Sequence, residues 1–174
     1  VTLLPVDRTG LVDPDAVKRA ITSNTALISI MHANNEVGTL QPIRDIARIA
    51  KERGILMHTD AAQSLGKVAV DVSELGVDLL SIAGHKLYAP KGVGVLYVRD
   101  GVQLETFMHG AGHEGGRRAG TENTPYVVAL GQACEIAQRS LPAATAKLQQ
   151  LRDRLHDRLR TALGDKLVLN GHPE

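Results

Sequence analysis

The feature that most constrains this chain is a regular exchange between two hydrophobic periods. Ala26–Met31, Ile55–Met57, Val77–Ile82 and Val93–Val98 are strand-length runs, apolar at nearly every position. Between the first two lies a segment whose apolar residues, Ile43, Ile46, Ala47, Ile49 and Ala50, recur at helical spacing from Pro42 to Gly54. Ahead of them, Asp13-Pro14 gives a cap and a first-turn proline, and Ala16, Val17, Ala20 and Ile21 follow at the same spacing. A strand apolar on both sides is buried on both faces, which is the habit of parallel sheets sheathed in helices. The pattern therefore predicts an α/β fold with a mostly parallel sheet and helices on both faces.

Val1–Val6 reads as one more short strand. Beyond residue 122, Leu130, Ala133, Cys134 and Ala137 line one helix, and Leu148, Leu151, Leu155, Leu159 and Leu163 line a second, before a strand-like Lys166–Leu169. This change of pattern divides the chain into the core of a large domain, residues 1–140, and an interdomain helix with the start of a smaller C-terminal domain, residues 141–174. The chain opens on Val1 inside an apolar run and closes on a turn-like Asn170–Glu174, so it reads as an internal piece of a longer protein.

Composition excludes several classes of function. With aromatics at 2%, the core must be built from aliphatic residues. A net charge of +1 leaves no clustered basic excess for nucleic acid. No apolar run reaches the roughly eighteen residues of a membrane span. Cys134 stands alone, which rules out an internal disulfide and suits a reducing compartment. Cytoplasmic placement is the expectation, with an organelle left open because a leader would precede Val1.

Ligands of open α/β sheets sit beyond the carboxyl ends of the strands. The unusual polar residues fall there: His32-Ala33-Asn34-Asn35 after the first run, His58-Thr59-Asp60-Ala61-Ala62-Gln63 after the second, Ala83-Gly84-His85-Lys86 after the third. A carboxylate at a buried strand tip calls for a compensating cation. A protonated pyridine nitrogen is one, and Lys86 could then carry the aldehyde of the same cofactor as a Schiff base. Gln63 and Asn35 could donate to the ring oxygen, and Gly84 gives backbone freedom before His85-Lys86. The alternative is a structural Asp60–Lys86 ion pair, with Asn34-Asn35 as a plain turn. Gly110–Thr121, rich in glycine and holding Arg117 and Arg118, suits an anion or else is a solvated loop. His109 and His113 are four apart, but Gly110 and Gly112 oppose a helix and no metal site is expected. Cys134 shares an apolar helix face and reads as packing.

Together these motifs resemble the cysteine desulfurases and the related selenocysteine lyases. The resemblance runs through Met31–Gly38, His58–Gln63, Gly84–Gly92, Gly112-His113-Glu114 and Arg118–Asn123. It implies the large domain of the type I fold of pyridoxal 5'-phosphate enzymes, of aminotransferase class V, incomplete at both ends and normally a homodimer. Lys86 would form the internal aldimine and move protons, Asp60 would hold the pyridine nitrogen, and Gln63 and Asn35 would contact the ring oxygen and substrate. His85 would bind the phosphate, and Thr121 would reach the partner subunit's phosphate. Many members have Ser where this chain has Ala83. The implied reaction takes L-cysteine to L-alanine, passing sulfur to an enzyme cysteine as a persulfide and then to an acceptor or scaffold protein. That cysteine, a ring-stacking histidine and a carboxylate-binding arginine would all lie outside this chain, so the chain alone is expected to be inactive and to bind the cofactor weakly.

Overall fold

The structure is a computed structural model that describes residues 1–173. At its centre is a sheet of β1 (Leu27–Met31), β2 (Leu56–Asp60), β3 (Leu79–Ala83) and β4 (Gly94–Val98), hydrogen-bonded in that order. The first three run parallel, and β4 returns antiparallel to β3. Parallel neighbours require a crossover. The helix α2 (Ile43–Glu52) lies between β1 and β2, and the single turn α3 (Val72–Leu75) between β2 and β3. Between β3 and β4 there is only a 3-10 helix, Gly84–Leu87, so the chain doubles back.

Local chemistry fixes the helix ends. Asp13 accepts from the Asp15 N–H ahead of α1 (Pro14–Ala20), with Pro14 in the first turn. Asp71 accepts from the Ser73 and Glu74 N–H groups to start α3, and Gly76, at φ 70, ends it.

Side chains alternate across a strand. Ile28, Met57 and Leu80 point to one face and meet Val17 of α1 and Ile43, Ile46, Ala47 and Ala50 of α2. Burying one such large aliphatic side chain is worth about 1.5–3 kcal/mol, and this cluster anchors both helices without a single Phe or Trp. The opposite face carries Leu27, Ser29, His58, Ser81 and Leu96. Leu27 and Leu96 remain 48% and 50% exposed, so the described residues leave this face partly open. At the base of the sheet, buried Asp78 accepts from the Met57 N–H at 2.7 Å and pairs with Arg99, just past β4.

Three expectations change. Val1–Val6 is not a strand: only Val6 bridges, to Val12, and Val1 and Leu3 are exposed beside an apolar groove along α1 and β1. The two expected helices are one, α4 (Thr124–Leu163), of 40 residues. Pro142 lies inside it; the missing N–H costs one bond, and the helix continues. Lys166–Leu169 forms no strand and instead follows a 3-10 turn, Gly164–Lys166. Glu174 lies outside the described residues. The first turns of α4 are fastened by Leu130, which is buried with Leu87 and Ala89.

Candidate functional site

The carboxyl ends of β1, β2 and β3 lie side by side, with Met31, Asp60 and Ser81 in register across them. The backbone continues this alignment past β1, where the His32 N–H donates to the Asp60 carbonyl at 2.8 Å. His32 is buried, and its Nδ1 lies 3.0 Å from the Ser64 hydroxyl. That contact ties the loop after β1 to the loop after β2. Burial holds the His32 imidazole below its usual pKa.

Of the two asparagines, Asn34 is committed to the turn: its Oδ1 accepts from the Glu36 and Val37 N–H groups, both at 2.9 Å. Asn35 is exposed and forms no hydrogen bond through its side chain among the described residues, so its amide is available. Asp60, the last residue of β2, is half-buried. Its Oδ1 accepts from the Ala62 N–H at 2.8 Å, which orients the carboxylate and leaves Oδ2 open. Gln63, half-buried, sits one turn further along.

Lys86 and His85 are exposed on the 3-10 helix that follows β3. Among the described residues no ion pair joins Asp60 to Lys86. Leu87 beside it is buried against Leu130, so the amine stands on a fixed base. Gly84 differs from its expected role. It is absent from the positive-φ residues, and what it supplies is room: a Cβ there would fall 2.8 Å from the Val93 carbonyl oxygen. Ala83 presents only a methyl.

Thr121 is exposed in the segment leading to α4, and no hydrogen bond links it to the strand ends. The Gly-rich stretch before it is partly ordered on itself. Phe107 N–H donates to Arg117 O, Ala119 N–H to Met108 O, and Gly120 N–H to His113 Nδ1 at 3.2 Å. Cys134 packs with Ala133 and Ala137 against the Leu87–Leu130 cluster.

Two features were not singled out in the sequence. Lys67 lies on the turn after Gly66, whose backbone abuts Leu87; its ammonium is held below the usual lysine pKa by burial and then by the charge of Lys86. The other is a polar row across the open face. Ser29 Oγ and Ser81 Oγ each lie 2.8 Å from a ring nitrogen of His58, on Nδ1 and Nε2 respectively. Burial lowers the His58 pKa, and the nearby Asp60 charge raises it by less. Ser29 and Ser81, each a hydroxyl in an otherwise apolar run, were the available signal.

The strand-end set thus offers an amine for an aldehyde, a carboxylate with one open oxygen for a cationic ring nitrogen, and amides for a ring oxygen. That donor set fits pyridoxal phosphate. A family model described as aminotransferase class-V matches residues 1–172. "Cysteine desulfurase IscS" of Methanosarcina thermophila is 51% identical over 173 residues, covering 99% of this chain and 42% of that protein. The human "Cysteine desulfurase" is 44% identical, over 100% of this chain and 38% of its own length. A solved "NIFS-LIKE PROTEIN" superposes with a TM-score of 0.88 at 41% identity, over 92% of this chain and 45% of that one. "SspA in complex with cysteine" does so with a TM-score of 0.75 at 50% identity, over 78% and 40%. The chain spans about two fifths of the length of the curated relatives it matches, 42% and 43% for two of them.

Proposed function

Since the chain belongs to the aminotransferase class-V family, we propose that it forms the cofactor-holding core of a pyridoxal-phosphate cysteine desulfurase acting on L-cysteine. The observation that carries this reading is the register of three strand ends that brings Asn35, Asp60 and Lys86 to one edge of the sheet. The cysteine held by one similar solved structure supports the choice of substrate.

Bound pyridoxal phosphate supplies an electron sink for the bonds of the substrate's α-carbon. Each protein group then has a task set by its position. Lys86 would hold the aldehyde end of the cofactor through its Nζ and serve as the proton carrier beside the substrate's α-carbon. Asp60 would hold the ring nitrogen and favour its protonated form, with the Ala62 N–H fixing the carboxylate plane. Gln63 and Asn35 donate to the ring oxygen, and Asn35 also reaches the substrate carboxylate. His85 would meet the phosphate, and Thr121 would reach the phosphate of the other subunit in a homodimer. Cys134 is packed, so the sulfur acceptor within the enzyme is a different cysteine. Onward transfer goes to an acceptor or scaffold protein. Residues 1–140 serve as the large domain, and α4 carries the chain into a smaller one. The proposed setting is the cytoplasm, with an organelle left open; separately, no described helix is long and apolar enough to cross a membrane.

Hydride reduction of the protein with pyridoxal phosphate, followed by peptide mapping, should place the label on Lys86. Asp60→Asn in the full-length protein should keep most cofactor affinity and lose at least about a hundredfold in turnover, since the amide keeps the carboxylate's shape but brings no charge to favour a protonated ring nitrogen. Label on Lys67 or Lys91, or near-normal turnover of Asp60→Asn, would defeat this reading.

A further inference from the structure

His58 belongs to a motif whose other members have tasks, yet it reaches no ligand position. It lies two residues before Asp60 on β2, on the same face of the sheet. Ser81, on β3, is the register partner of Asp60, and the two side chains stand on that face one strand spacing apart, about 4.8 Å. A serine hydroxyl there is the natural donor for the open oxygen of the carboxylate. It is instead 2.8 Å from His58 Nε2, while His58 Nδ1 meets Ser29 of β1 at 2.8 Å. One imidazole therefore spans the three strands whose ends carry Asn35, Asp60 and Lys86, and it occupies the one hydroxyl that flanks Asp60 across β3.

We propose that His58 is a positioning residue for Asp60: it accepts the Ser81 hydroxyl proton at Nε2, donates from Nδ1 to Ser29, and so keeps Asp60 Oδ2 free for the cofactor's ring nitrogen. This rests on the assignment of Asp60 to that nitrogen. The physical point is competition. A carboxylate oxygen that accepts a hydroxyl hydrogen bond has its charge stabilised. It then pulls less strongly on a second donor, and the ring nitrogen holds its proton less tightly. A neutral imidazole with one acceptor nitrogen removes that competitor without bringing a charge of its own. The groups that face the ring are Ser29 from β1, Ser81 from β3 and Asp60 along β2; of these only Asp60 is charged, and burial outweighs it in keeping the imidazole neutral.

The first test needs no cofactor. In protein with 15N-labelled histidine, the His58 signals should show a proton on Nδ1 and none on Nε2 near pH 7.5. The opposite tautomer would leave the Ser81 hydroxyl free to turn to Asp60 and would overturn the proposal. The second test reads the cofactor itself, using pyridoxal phosphate labelled at the ring nitrogen. His58→Ala, or His58→Leu if the first does not fold, should lower the midpoint of ring-nitrogen protonation by about one pH unit, a tenfold loss in proton affinity. Adding Ser81→Ala to the same variant removes the released hydroxyl and should restore the midpoint. A merely structural histidine would give the reverse, with the double variant as low as the single one or lower. If the full-length protein binds the cofactor with its ring nitrogen unprotonated before any substitution, the assignment of Asp60 fails while the tautomer result still stands.

Discussion

Gly84→Ala is a one-methyl perturbation whose consequence follows from the geometry beside Lys86. Gly84 is buried at the start of the 3-10 helix, donating its N–H to Val93 O at 3.0 Å and accepting from the Ala89 N–H at 3.1 Å. A Cβ would sit 2.8 Å from that same Val93 oxygen, 2.9 Å from Val93 Cγ1 and 3.3 Å from Leu130 Cδ1. The oxygen is backbone, and it cannot withdraw without lengthening the bond it accepts. Overpacking of this kind costs about 1–3 kcal/mol, and a buried bond left unmade costs a similar amount. The chain will relax along the cheaper route, so a loss of about 2 kcal/mol is expected. For a protein of this size that lowers Tm by roughly 4–8 °C. Urea and thermal unfolding followed by far-ultraviolet circular dichroism measure it. Gly112→Ala is the control: its Cβ meets nothing within 4 Å, and its φ is not positive. There, alanine should change stability by less than about 1 kcal/mol. Gly84→Ala should also weaken Schiff-base formation at Lys86, seen in the cofactor's visible band. An unfolding midpoint equal to that of the parent would refute the argument, because it would mean that β4 yields freely to the 3-10 helix.

Tyr88 caps the Lys86 helix in the left-handed region, at φ 65, with its ring fully exposed. Tyr88→Gly should therefore raise stability by about 0.5–1 kcal/mol in urea unfolding; a loss would mean that the ring is packed against something. His32 and His58 are both held below the ordinary histidine pKa by burial. A depressed value favours the neutral form in the fold, so this stability is complete above about pH 6.5 and falls as pH drops through the folded values. Urea midpoints between pH 8 and 5 should decline below pH 6.5, and less steeply in His58→Gln.

The elements that could be foreseen are those whose evidence is local. Asp13-Pro14 announces α1 because cap and first-turn geometry involve neighbouring residues only, and the Asp13–Asp15 bond bears it out. The stripe from Ile43 to Ala50 predicted α2; all its members are buried, and Ile43, Ile46, Ala47 and Ala50 pack in the cluster against the sheet. What failed depends on a partner. Val1–Leu4 has the side chains of a strand, but a strand is a hydrogen-bonding relation, and no described residue offers that segment a ladder. Pro142 interrupts the pattern of α4 without interrupting its backbone, so one helix looked like two. The return of β4 was hidden for a related reason. Its apolar run says that it is a strand, while direction depends on whether the preceding ten residues, 84–93, cross the sheet or turn.

The site was legible to the extent that chemistry leaves unusual residue types at strand ends. Asp60 and Lys86 stood out because a carboxylate and an amine directly follow strand-length apolar runs; Asp60 is half-buried and Lys86 exposed, and no ion pair joins them among the described residues. The groups that prepare Asp60 left a fainter trace. Ala62 acts through its backbone N–H, which any residue but proline possesses, so no side chain could mark it. Ser29 and Ser81 are common residues, and their importance lies in sharing a sheet face with His58 on the strand between them. Register decides that, and a shift of one residue would send both hydroxyls to the opposite face. The proposed site residues were therefore visible as polar types at strand ends, whereas the groups that would orient them became visible only once three strands were laid in order.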